Sequence, residues 1–197
     1  MKNVLLLTLL STVCSLAVMG PAHAEKADSE KEAVITAQRG QVDDVKQVRT
    51  LTGDVVLVKG TLTMKAGRAL ITEDPQGYQF ITFWADPGKL ATFRQKRDGA
   101  GDLWVEGEAE RVEYDNKTEV VKLFSKAKLT RLEGTKVTDV ANGAFISYDS
   151  RKEVFTMENS DNGTNTPGAG SVRMVIQPKT KAPAAEKAPA TPAPGKK

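Results

Sequence analysis

The chain has 197 residues, a formal net charge of +3, and a single cysteine and a single histidine. Both of these, Cys14 and His23, precede residue 25, so the rest of the chain holds no thiol and no imidazole. Cysteine and Ser-His-Asp nucleophilic catalysis, thiolate or imidazole metal sites and disulfides are thereby excluded from residues 25–197.

In chain order, Met1-Lys2-Asn3 and the short apolar run Val4–Met19 end in Gly20-Pro21-Ala22-His23-Ala24, which predicts a secretory leader over residues 1–24 with cleavage after Ala24. The alternative, a transmembrane anchor, needs about 20 apolar residues, and this run is shorter. A lipoprotein leader built on Cys14 would want a small residue before it, where Val13 stands. Residues 25–32 predict a flexible segment. From Ala33 to Gln177 short runs rich in Val, Ile, Leu, Thr, Phe and Tyr are separated by Gly, Asn or Asp, the pattern of many short strands. About fifteen candidate strands, and no window with a 3.6-residue apolar stripe, predict one all-β antiparallel domain over residues 33–177 with little or no helix. Asp98-Gly99, Asn142-Gly143 and Asn162-Gly163 predict tight turns. Asp43-Asp44 suits a turn better than a metal site, because no third ligand lies near it. No metal site and no cofactor is expected.

Alternation assigns faces. Leu62, Met64 and Ala66 share one side of their strand, and Ala127 with Leu129, Val121 with Leu123, Val112 with Tyr114, Ile146 with Tyr148, and Ala91 with Phe93 do the same. Asp54–Lys59 does not alternate, and is expected to be buried on both faces or covered. Glu106, Glu108 and Glu110 share a face and could mimic a glycosidase carboxylate pair, but small apolar neighbours at Val105, Gly107 and Ala109 favour a solvated strand face. Tyr114–Val120 matches Tyr148–Val154 in residue type, which suggests a repeated strand-turn-strand unit. Pro178–Lys197 contains only Pro, Lys, Thr, Ala, Glu and Gly and predicts a disordered tail. That tail holds five lysines against Glu186, while residues 25–177 hold 22 basic and 24 acidic side chains, which argues against a nucleic-acid surface. No phosphate-binding loop motif occurs.

Leu51–Ala66 closely resembles the opening of the OstA-like domain of the LptA family of lipopolysaccharide-transport proteins. Leu90–Phe93, Val105–Ala109, Tyr114-Asp115 and Ala127–Thr130 follow in that family's order, so the resemblance spans residues 33–177. The family usually has a Gly-Asn or Gly-Asp turn where this chain has Ser125-Lys126, so a differently shaped turn is expected there. The resemblance implies a V-shaped antiparallel β jelly roll, open at both ends. Its apolar interior would hold the acyl chains of lipid A, lined by Ile35, Leu62, Met64, Phe93, Val112, Tyr114, Val121, Leu123, Leu129, Ile146 and Tyr148. It further implies a periplasmic, non-enzymatic transport role, an LptC-like inner-membrane partner, an LptD-like outer-membrane partner and head-to-tail copies. For the last, the edges are Ala33, Val34 and Ile35 at one end and Val172, Met174 and Ile176 at the other. Two other readings stand beside it: a strand-pairing scaffold without lipid, and a carboxylate-dependent cell-wall enzyme.

Overall fold

The computed structural model describes residues 28–178; the expected leader over 1–24 and the tail beyond Pro178 lie outside them. Twelve strands in antiparallel pairing make up the described chain, with no helical element among them. They are β1 (Ala33–Thr36), β2 (Arg39–Asp43), β3 (Val48–Lys59), β4 (Leu62–Glu73), β5 (Gln79–Trp84), β6 (Ala91–Lys96), β7 (Leu103–Ala109), β8 (Arg111–Asp115), β9 (Val120–Glu133), β10 (Lys136–Asp149), β11 (Val154–Glu158) and β12 (Arg173–Ile176).

The count falls below the fifteen expected because β3, β4, β9 and β10 run for 12 to 14 residues through bends that the sequence presents as breaks. Each of these strands serves two layers. In β9, residues Val120–Phe124 pair with β8, and residues Lys128–Glu133 pair with β7. In β4, Arg68–Glu73 pair with β5, and Thr63–Lys65 pair with β6. One layer therefore runs β2-β3-β4-β5-β8-β9-β10-β11 and the other β1-β3-β4-β6-β7-β9-β10-β12. This is a jelly-roll type of fold in which the chain meanders back and forth, each pass bent at its middle.

The bends have identifiable backbone causes. At Gly53-Asp54 both residues have positive φ, 81° and 45°, and the β3–β4 register shifts there. Ser125 and Lys126 adopt φ of 61° and 55° in the middle of β9. They keep the left-handed backbone that glycine or asparagine takes without strain, and as L-residues with larger side chains they carry about 1–2 kcal/mol each for it. Asn142-Gly143, expected to be a turn, instead lies inside β10, where the register with β9 shifts between Gly143 and Phe145. A bulge needs a small residue for the same local reason as a turn, and local sequence does not separate the two.

The turns at the far end of the first layer share one grammar. Asp115 and Asp149 open matching turns that close at Glu119 and Glu153, with φ of 57° and 53°. Asp43 opens a third, closed by Gln47 with φ of 53°. In each, the aspartate carboxylate accepts a backbone N–H from within the turn: Lys46, Lys117 and Lys152. Asp43 is thus a turn residue, as expected, and the repeat has a third member.

Candidate functional site

The two layers press one face each against the other. Leu57, Met64, Phe93, Leu129 and Ala141 come from one layer, and Ile71, Ile81, Phe83, Val112, Leu123, Ile146 and Tyr148 from the other, all buried in a single apolar cluster. Phe93 stacks on Tyr148 across the layers, ring centroids 6.2 Å apart. Full burial of each large side chain contributes about 1.5–3 kcal/mol, so this seam is the main source of stability.

All eleven residues expected on the interior face point into this seam. Ten are buried, and Ile35, on edge strand β1, is half-buried against the same cluster. The side chains fill the seam, so a guest would have to part the layers rather than enter a ready cavity. Val55, Leu57, Ile81 and Phe83 belong to the interior as well and were missed. For Val55 and Leu57 the alternation was hidden by apolar residues on the other face. The expectation that Asp54–Lys59 is covered on both sides does not hold, since Val55 and Leu57 are buried while Val58 is 41% exposed. β-branched residues suit a strand on either face, which is why this run looked doubly buried.

Outward, the acidic triplet is spent on ion pairs. Glu106 pairs with Arg94, Glu108 with Lys128 at 3.0 Å and Glu110 with Lys126 at 2.7 Å. All three pairs lie on the solvated face, and the first two border a cleft of about 440 Å³ lined also by Thr63, Thr92 and Thr130. A second outer feature escaped the sequence reading. Arg68 stacks on Trp84, Arg111 on Phe124, and Phe124 meets Phe145 edge-on at 5.0 Å, in one row across β4, β5, β8, β9 and β10. The loop after β11 lies against Phe145 at Gly163.

Away from the bends, the inner faces turn polar. Asp28 is 4% exposed and its carboxylate accepts from Thr61 N at 2.7 Å, Thr61 Oγ1 at 2.5 Å and Gln95 Nε2 at 3.2 Å. Of the segment expected to be flexible, the described part, residues 28–32, therefore has an anchor at Asp28, which composition does not reveal. Tyr114 lies close by, and burial first, then the charges of Glu119 and Asp28, pushes its hydroxyl well above the usual tyrosine range. Arg97 Nη2 reaches Glu153 Oε2 at 2.5 Å, and Arg131 Nη2 donates to the Glu153 carbonyl at 2.8 Å while its guanidinium lies over Phe155.

At the lateral edges, β1 and β2 pair only with β3, and β11 and β12 pair only with β10. Ala33 and Val34 are exposed on β1, and Met174 and Ile176 on β12; Val172 stands just before β12. Comparison with known proteins agrees with this architecture: the family described as LptA/(LptD N-terminal domain) LPS transport protein matches residues 34–154. The chain belongs to that family. The lipopolysaccharide export system protein LptA of Haemophilus influenzae is 30% identical over 132 residues, covering 67% of this chain and 73% of that protein. LptA of Escherichia coli K12 is 31% identical over 140 residues, covering 69% and 74%. The crystal structure of LptH, described as the LptA-homologous periplasmic component of the lipopolysaccharide transport device of Pseudomonas aeruginosa, superposes with a TM-score of 0.65 at 22% identity. The match covers 77% of this chain and 99% of LptH, and shows that the fold is shared.

Proposed function

We propose that this protein is a periplasmic, non-enzymatic carrier of lipopolysaccharide that shields the lipid A acyl chains between its two layers and forms one segment of a bridge from inner to outer membrane. The observation that carries this reading is the interior seam: an apolar face on each layer pressed against the other, in a member of a lipopolysaccharide-transport family. Alkyl chains parting the layers would replace side-chain contacts with lipid contacts at about 0.8 kcal/mol per CH₂ buried, with no directional chemistry required. Movement along such a track needs a push from a partner. An LptC-like protein would join at one edge pair and an LptD-like protein at the other, with further copies head to tail between them, through strand addition to β1 and β12.

A photocrosslinker placed at Met64, Phe93 or Leu129 should label lipopolysaccharide, and one at Lys126 or Lys128 should not. Equal labelling from both faces, or none from the interior, would refute the conduit. A strand-pairing scaffold without lipid is favoured by one observation, the filled interior, and the same crosslinking separates it. The cell-wall enzyme loses its support, because Glu106, Glu108 and Glu110 are each held by a cation on the solvated face.

A further inference from the structure

Along the inner face of β6, Phe93 is followed at strand spacing by Gln95 and then Arg97; along β9, Leu129 is followed by Arg131. Two guanidiniums therefore stand at the rim of the seam, just beyond its apolar part. They are met from the opposite layer by Glu153, in the turn between β10 and β11: its carboxylate pairs with Arg97, and its backbone carbonyl accepts from Arg131. The match is incomplete. Glu153 Oε1 and Arg131 Nε are both buried without a hydrogen-bond partner. Glu153 reaches its place from a strained left-handed backbone, φ 53°. Burial first, and then the neighbouring charge of Arg97, holds Arg131 below the usual arginine range, with Asp139 the other carboxylate whose field reaches it. Arg131, partly desolvated and held at Glu153 by a neutral carbonyl, keeps positive charge and a donor that a group with more acceptor oxygens would satisfy better. Glu153 is also a tie between the layers, and parting them for a guest pulls it away from both arginines.

We infer that Arg97 and Arg131 form a phosphate-recognition site at the rim of the seam, occupied by Glu153 when the interior is empty and by a phosphate of the bound lipid when acyl chains enter. The inference rests on the lipid-carrier reading and adds to it the headgroup chemistry and the point of entry. Glu153 acts as an internal anion that closes the layers, and a dianionic phosphate with three free oxygens displaces it. The lipid is thereby held with its headgroup at the rim and its chains pointing toward Phe93 and Tyr148.

The test measures binding of three probes to the mature protein: lipid A carrying its phosphates, the same lipid after enzymatic dephosphorylation, and inorganic phosphate. The wild type should prefer phosphorylated over dephosphorylated lipid by roughly tenfold or more, the scale of a lost charge-assisted contact. Arg97→Gln with Arg131→Gln should abolish the preference by bringing binding of the phosphorylated lipid to the level of the dephosphorylated form, and Glu153→Gln should tighten binding of the phosphorylated form. Should the double variant fail to fold, Arg131→Gln alone, which keeps the Arg97–Glu153 pair, should lose part of the preference. A preference that survives either arginine variant, or weaker binding by Glu153→Gln, overturns the site while leaving the carrier intact. Inorganic phosphate competing as well as the phosphorylated lipid would make this a free-anion site and overturn the headgroup assignment. Failure of the wild type to bind either lipid would remove the carrier reading itself.

Discussion

Gly107 offers the sharpest test of how the layers meet. It sits on the inner face of β7 between Val105 and Ala109, where the pattern calls for an apolar side chain. A Cβ added there would run into the ring of Phe93 and stand 3.0 Å from Leu123 Cδ1. Phe93 is 1% exposed and stacked on Tyr148, so its ring has no free space to retreat into. Gly107→Ala should therefore cost about 1–3 kcal/mol of overpacking, despite alanine's lower backbone entropy cost. For a folded region of this size that is a fall in Tm of roughly 2–4 °C per kcal/mol. Phe93→Leu alone should cost about 1 kcal/mol. Combined, the two changes should destabilise less than their sum, because the smaller leucine vacates the volume the new methyl needs. Urea unfolding of the four proteins gives the coupling. Additive costs, or a neutral Gly107→Ala, would mean that the layers do not close on Phe93 in this way.

Ser125→Gly should raise stability by about 0.5–1 kcal/mol by relieving the left-handed strain in β9, although glycine inside a strand is normally unfavourable; a fall in Tm would refute the strain. Stability should stay nearly flat from about pH 5.5 to 8, since residues 28–178 contain no His or Cys. At high pH the sign follows from Tyr114. Its folded pKa is raised, so the neutral form is favoured in the fold, and its contribution holds below the unfolded value near 10 and is lost as pH rises past it. Tyr114→Phe should flatten that alkaline loss in a pH series of thermal melts, and an unchanged profile would exclude Tyr114 as its source. Asp149 has the opposite sense. Burial opposes its ionisation, but hydrogen bonds from the Lys152 side chain and backbone outweigh it and hold the carboxyl below its usual range. Its contribution is therefore lost only as pH falls through the acid range, and Asp149→Asn should lessen that acid sensitivity. Finally, light scattering should show oligomers that grow with concentration and disappear when the chain is cut before Ser171, because an open pair of edges makes a heterologous contact that does not close; growth that survives the cut would exclude β12.

How much of this was legible before the fold was known depends on the range of the physics involved. Alternation is local, since successive side chains of a strand point to opposite faces whatever lies beyond. For that reason Leu62 with Met64, Leu129 with Ala127, and Tyr114 with Val112 could be placed on one face from the chain alone. The carboxylate-opened turns at Asp115 and Asp149 were legible for the same reason, as each closes within a few residues. Val55 and Leu57 were not, because an exposed Val58 carries the same strand preference as a buried one.

Only the tertiary structure decided which strands bend and which end, because Asn142-Gly143 reads identically as a hairpin turn and as a bulge inside β10; what separates them is whether β9 continues alongside. It also decided the meeting of residues far apart in the chain. Phe93 finds Tyr148, Asp28 finds Gln95, and Arg97 finds Glu153, each across a distance in sequence over which no periodicity carries information. Strand geometry thus determined from sequence which side chains share a face, while the closing of two layers, a balance of burial summed over all of them, determined what each face meets.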